Sequence, residues 1–226
     1  FLALIDWRLA FVLLFLFSGL LGSIYLVSFN TSKGDGELKD VLRKIRGVMK
    51  NSDVLLLCMF GLLVFFGNIA LMTFLSDTLK TAVREDKIGM LLATFGFVGI
   101  ATAPIAGYLT DSIGRKKMLR IGLCIMLGAF LLFLHVESYT AFFLPLAVLG
   151  AGSITIFTTL NTMIVECMPE SRGAASSIYN SFRFLGYGLS PVATLPVYLL
   201  YGLDGIVLLC VCFVVTNMAI SVRVRG

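Results

Sequence analysis

Ser176, Asn180, Arg183, Tyr187 and Ser190 follow one another at steps of four, three, four and three within an otherwise apolar run. At the 3.6-residue period of an α-helix these five side chains share one face. Arg183 lies eleven residues past Arg172, which is about 16 Å along a helix axis at 1.5 Å per residue. That depth is close to the middle of a roughly 30 Å hydrocarbon core. An arginine there costs at least about 2.5–3.5 kcal/mol on insertion scales, so it must face protein or water. Two kinds of chemistry are open to it. As a cavity cation it could bind an anionic group or a proton-coupling carboxylate; as a clamp it could hold carbonyls or a carboxylate between helices. Asn68 and Thr73, Thr94 and Thr102, and Thr155, Thr158, Thr159, Asn161 and Thr162 lie in three other apolar runs. They could line a wet path, although such groups also hydrogen-bond helices to each other.

A second cluster of charge joins two apolar runs: Gly107-Tyr-Leu-Thr-Asp111-Ser-Ile-Gly114-Arg115-Lys116-Lys117. Two glycines, a lone carboxylate and a basic triplet make a tight elbow, and Lys and Arg beside an apolar run hold that side in the cytosol. Glu166 and Arg172 flank a later joint at 165–173. The five cysteines (Cys58, Cys124, Cys167, Cys210 and Cys212) sit within or at the ends of apolar runs, without metal-ligand spacing and with no His among them. They read as packing residues. With no nucleophile–base pair and no metal cluster, neither an enzyme nor a cofactor is expected. No Asp or Glu lies deep inside an apolar run, Asp204 being the second residue of the last, and His135, near a run end, reads as an interfacial residue rather than a proton relay.

The elements that must position these residues follow from composition. Of 226 residues, 58% are hydrophobic and 14% charged, against about a quarter charged in soluble domains. An all-α polytopic membrane protein is expected. Runs long enough to cross a bilayer, which takes about 20 residues of helix, fall at 9–28, 54–75, 88–109, 119–136, 141–164, 174–198 and 203–222, seven in all. With joints alternating sides, one face collects Lys33, Lys39, Arg43, Lys44, Arg46, Lys50, Arg115, Lys116, Lys117, Arg120, Arg172, Arg223 and Arg225, and the other only Arg8, Lys80, Arg84 and Lys87. This imbalance sets the C-terminus in the cytosol. It also accounts for the net charge of +5 without a nucleic-acid partner. In the third run Gly99, Ala103 and Gly107, with Pro104, form a close-packing face with a bend. Runs 119–136 and 203–222, apolar on nearly all faces, are expected to face lipid.

One long joint, 29–53, separates the first run from the other six. Gly34-Asp35-Gly36 breaks the chain, after which Leu38, Val41, Leu42, Ile45, Val48 and Met49 recur at helical spacing among Lys39, Arg43, Lys44, Arg46 and Lys50. Such a basic amphipathic helix lies on a membrane surface, with anionic headgroups as its partners.

The elbow resembles the signature G-x-L-x-D-[RK]-x-G-[RK]-[RK] that transporters of the major facilitator superfamily carry between the second and third helices of each six-helix half; Ser112 departs from it. Glu166-Cys-Met-Pro169 with Arg172-Gly173, and Asn180, Arg183, Leu185 and Gly186 with Ser190-Pro191, resemble the E-x-x-P…R-G joint and the N-x-x-R-x-L-G eleventh helix of its drug:proton antiporter branch. The resemblance implies a secondary active transporter that exports or exchanges a small, drug-like organic solute across the plasma membrane; a metabolite or sugar symporter of the same superfamily is the alternative. It implies that 1–28 is the last helix of the N-terminal half, entered by Trp7-Arg8, that 29–53 is the central loop, and that 54–226 is the C-terminal half, two sets of three helices. The cavity candidates are then Asn68, Thr94, Thr158, Asn161, Ser176, Asn180, Arg183 and Tyr187. Gly107, Asp111, Gly114, Arg115, Glu166 and Arg172 form a cytoplasmic gate, in which Asp111 caps a helix N-terminus of the opposite half, favoured by its partial positive charge, and Arg115 pairs with Glu166.

The chain begins at Phe1 without an initiator Met and is expected to be a fragment whose N-terminal half, including any proton-coupling carboxylate, lies elsewhere. Two other classes compete, a seven-helix receptor and an inactive truncated product. Every Lys lies outside the runs, so no retinal Schiff base is available to a receptor. The topology is tested by single cysteines: we expect one at Thr81 to be labelled by an impermeant reagent from outside, and one at Ser112 or Ser171 only after permeabilisation.

Overall fold

The computed structural model describes residues 7–28 and 38–223, which form two units, Phe1–Asp40 and Val41–Gly226. The predicted break at Gly34-Asp35-Gly36 lies outside the described residues. The first unit holds α1 (Trp7–Ser28). Phe15, Leu16, Phe17 and Leu20 on it are exposed, as suits a helix in lipid.

The second unit takes in most of α2 (Leu38–Lys50), then α3 (Ser52–Leu79), α4 (Glu85–Ile113), α5 (Arg115–Phe133) and α6 (Phe143–Cys167). One-turn helices at Tyr139–Phe142 and Pro169–Ser171 precede α6 and the final segment, Arg172–Arg223. Gly202, at φ 63° and ψ −155°, breaks that segment into α7 (172–201) and α8 (203–223). A positive φ is a conformation that glycine adopts without the clash of a Cβ. Each of the seven predicted runs overlaps one helix. Among the described residues four helical stretches are long and apolar enough to cross a membrane: Ser52–Leu79, Glu85–Ile113, Tyr139–Cys167 and Pro169–Val222, the last with 54 residues. At 1.5 Å per residue its two arms are each roughly a bilayer long. The chain is an all-α integral membrane protein.

The joint predicted at 110–118 is narrower than expected. Helix α4 continues to Ile113 and α5 starts at Arg115, so Gly114 alone, at φ 98°, turns the chain. This carries Arg115, Lys116 and Lys117 into the first turn of α5, where cations meet the positive end of the helix dipole. Helix α5 ends at Phe133, three residues short of the predicted 136, and His135 follows it, its Nδ1 3.0 Å from the Leu131 carbonyl. In α2, Val48 is buried whereas Leu42, Ile45 and Met49 stay exposed, leaving an apolar edge beside the basic one.

Packing follows an exchange between two sets of three helices. Helix α3 packs on α7 and α8, as α6 packs on α4 and α5. The first helix of each set thus lies against the second and third of the other. Glycines permit these approaches. Gly61 receives the Tyr179 ring, Gly186 meets the Leu62 backbone and Gly67 meets Cys210. In the other set Gly150 abuts the Phe95 carbonyl, Gly152 meets Met126 and Gly122 meets Ile156. Where α3 and α6 touch, Asn68 Nδ2 donates to Ser153 Oγ at 3.0 Å, each residue directly following one of these glycines, Gly67 and Gly152. At one end of the bundle Asn51 caps α3, accepting from the Asp53 and Val54 amides at 2.9 and 3.3 Å. At the other, Tyr198 of α7 stacks on Phe74 of α3 at 4.4 Å and donates to Asp77 at 3.2 Å.

A side chain at Gly150 would strike the Phe95 backbone, which cannot swing aside. Gly150→Val is therefore expected to cost about 1–3 kcal/mol as an overpacked contact and to lower the melting temperature in detergent by several degrees. Gly128 has open space around it, so Gly128→Ala should leave melting unchanged or raise it slightly through helix propensity.

Candidate functional site

Four helices of the second unit, α3, α4, α6 and α7, surround a cavity of about 430 Å³, within the range of small-molecule sites. Its wall is apolar: Phe65, Ile69 and Met72 from α3, Phe95 and Ile100 from α4, Ile154 and Phe157 from α6. The polar exceptions are Asn68, Ser153, Arg183 and Tyr187. Asn68 is 4% exposed; its Nδ2 is spent on Ser153, and its Oδ1 is buried with no hydrogen-bond partner.

Arg183 takes neither of the two forms of clamp that its sequence position allows. Its guanidinium carbon lies 4.8 Å from the ring centre of Phe184, 4.9 Å from Phe157, 5.5 Å from Phe65 and 5.9 Å from Tyr187. The rings brace one another edge to face, Phe65 against Phe157 at 6.0 Å and against Tyr187 at 5.7 Å. The Nε of Arg183 is buried with no hydrogen-bond partner. Each such ring contact is worth about 0.5–1 kcal/mol, and more once desolvated. Four together are comparable to the roughly 2.5–3.5 kcal/mol cost of placing an arginine at that depth. Aromatic faces thus offset the burial, and the charge itself is left without an anion.

The predicted stripe on α7 divides. Arg183 and Tyr187 line the cavity. Ser190 is fully buried and donates to the Phe66 carbonyl at 2.6 Å, so it joins α7 to α3 instead. Ser176 and Asn180 are half-buried and lie outside the cavity wall. Of the remaining candidates, Asn68 lines the wall; Thr94 Oγ1 donates back to the Met90 carbonyl and Asn161 Nδ2 to that of Phe157. Thr158 packs near Gly107, and its carbonyl accepts from Thr162. Thr155 and Thr159 are buried, Thr159 against Thr110 of α4 at 3.1 Å. Back-bonding of this kind satisfies hydroxyls and amides inside helices. Phe65, Phe157 and Ser153 lack any sequence signal that distinguishes them from packing residues in Phe- and Gly-rich runs.

At the Gly114 end the structure brings three charged residues together. Arg115 donates from Nε to Glu166 Oε2 at 3.1 Å and from Nη2 to Oε1 at 2.6 Å, a two-pronged pair. Asp111, one helical turn before Arg115, lies 3.5 Å from the same Nη2. The hydrogen bond to Glu166, then the charge of Glu166, raises the Arg115 pKa above its ordinary value, with Asp111 a smaller influence. Arg172 opens α7 on the surface.

The structure thus combines an all-helical membrane bundle, small-residue helix contacts and an apolar cavity lined by one cation. A sequence profile of the Major Facilitator Superfamily matches residues 1–191 and, overlapping them, 57–225, and the chain belongs to that superfamily. It is 28% identical over 166 residues to the bacillibactin exporter of Bacillus subtilis (strain 168), covering 68% of this chain and 40% of that protein. It is 26% identical over 165 residues to the uncharacterized MFS-type transporter YwfA of the same organism, covering 72% and 38%. It is 27% identical over 108 residues to the vesicular acetylcholine transporter of Mus musculus, covering 48% and 20%. The chain thus spans less than half the length of each of these relatives.

With no carboxylate to strand, Arg183→Leu should change thermal stability in detergent little, because lost ring contacts and relieved burial nearly cancel. A carboxylate clamp would instead cost about 3–5 kcal/mol on losing its partner, a fall of many degrees in the same melting experiment.

Proposed function

We propose that this chain is the C-terminal half of a secondary transporter, with the preceding helix and central loop attached, and that it moves a small organic solute by alternating access between two halves. The observation that carries this reading is the cavity among α3, α4, α6 and α7, bordered by helices whose other faces are exposed and apolar. Phe97, Ile105 and Tyr108 of α4 and Phe184, Leu185, Leu189 and Val192 of α7 are all exposed. In this reading a second half covers them and completes the site. The cavity wall holds no carboxylate, so a proton-driven cycle draws its titrating group from that second half.

Likeness to the bacillibactin exporter supports export of an organic solute, and the α7 motif resembles that of the drug:proton antiporter branch. Gly107, Asp111, Gly114, Arg115, Glu166 and Arg172 then form the inner gate. The Arg115–Glu166 pair joins the start of α5 to the end of α6 and holds Arg115 ready beside Asp111. The exposed Leu42, Ile45 and Met49 with the basic residues of α2 support a helix resting on anionic lipid, in a plasma membrane with the C-terminus in the cytosol.

The test is conformational. In the full-length protein, Glu166→Gln removes one charge of the two-pronged pair and Asp111→Asn the carboxylate beside it; both should raise the reactivity of cavity cysteines from the cytosolic side. Coupling between conformational states of about 1–3 kcal/mol is ordinary, so the rise should be severalfold. Unchanged reactivity in both variants would reduce the cluster to a topology signal.

A further inference from the structure

We infer that the solute is an amphipathic organic anion, an apolar body carrying one carboxylate-like group, and that Arg183 is its counter-ion. The inference rests on the transport reading above and narrows it to a class of solute. Arg183 is the one charged residue among those lining the cavity. None of the ion pairs found among the described residues includes it. Phe65, Phe157, Phe184 and Tyr187 lower the cost of holding a guanidinium there, yet a ring quadrupole neutralises no charge. The Nε–H stays buried and unpaired. A group that binds Arg183 must therefore bring negative charge and acceptor oxygens, for which a planar guanidinium is matched.

The remainder of the wall describes the remainder of the solute. Met72, Phe95, Ile100 and Ile154 offer only apolar contact, and a cavity near 430 Å³ admits a body of one or two rings. Asn68 Oδ1, buried and unpartnered, adds a place for one donor, an N–H or O–H on that body, since an unmet buried acceptor is costly. A cationic solute fits poorly. An aromatic box is the usual receptor for a quaternary ammonium, and here the box is filled by the protein's own guanidinium. Likeness to an acetylcholine transporter therefore does not extend to the charge of the solute.

Three probes of one shape and different charge test this on the full-length protein in detergent: 2-naphthoate, 2-naphthamide and 2-naphthylmethylammonium, measured by equilibrium dialysis. We expect the wild type to bind naphthoate at least about tenfold more tightly than the amide, as hydrogen bonds to a charged group imply, and the ammonium least. Arg183→Gln should collapse the anion preference to below about threefold, and Arg183→Lys should keep part of it, since charge remains while the two-pronged geometry is lost. The wild-type ranking needs no variant, so a misfolded mutant does not blunt the test. Equal or tighter binding of the amide or the ammonium overturns the anion assignment. Failure of the transport reading has a different mark: a cysteine at Ala103, on the cavity wall, that reacts from one side of the membrane only under every condition.

Discussion

A guanidinium within an apolar, membrane-long helix is the constraint to which the cavity answers. Water is absent from the hydrocarbon core, and a carboxylate partner would cancel the charge that a site could use. Four rings solve the problem differently, supplying negative faces at 4.8–5.9 Å from the guanidinium carbon while leaving the cation electrostatically open. The rings come from three helices, Phe65 on α3, Phe157 on α6 and Phe184 and Tyr187 on α7. Any shift of one helix against another would disperse the cage, so the site depends on how those three helices meet.

They meet through small residues. Lipid chains are as apolar as leucine, so nothing drives helices together in a membrane as water does; close van der Waals approach must do so instead. Gly61, Gly67 and Gly186 bring α3 to α7 and α8, and Gly122, Gly150 and Gly152 bring α6 to α4 and α5. The exchange leaves α3 and α6 side by side at the centre, joined by Asn68 and Ser153. Exposed apolar faces of α4 and α7 border the cavity.

The Gly114 end shows a second balance of forces. Three cations in the first turn of α5 oppose the helix dipole, a local arrangement that propensity disfavours. Glu166, delivered by the end of α6, and Asp111, one turn back on α4, surround Arg115 with negative charge. Exposed pairs of this kind add little to stability. Their proposed value is positional, since they connect the ends of helices that a transport cycle has to move.

Much of this was legible in the chain. Apolar runs located the helices because a bilayer admits only segments that satisfy their own backbone. The 3.6-residue period put Arg183 and Tyr187 on one side of α7. Where a helix ended was less legible: a single glycine at positive φ could turn the chain at 114, so the expected loop shrank to one residue. The company Arg183 keeps was decided only by the tertiary structure. Phe65 and Phe157 lie 118 and 26 residues away in sequence, and nothing local separates a phenylalanine that cages a cation from one that faces lipid. Ser190 and Thr94 share the polarity of the cavity residues and point to carbonyls instead, because a hydroxyl in a membrane helix bonds whatever acceptor its own rotation reaches. Periodicity along one helix fixes a face; which neighbour that face meets depends on packing among six.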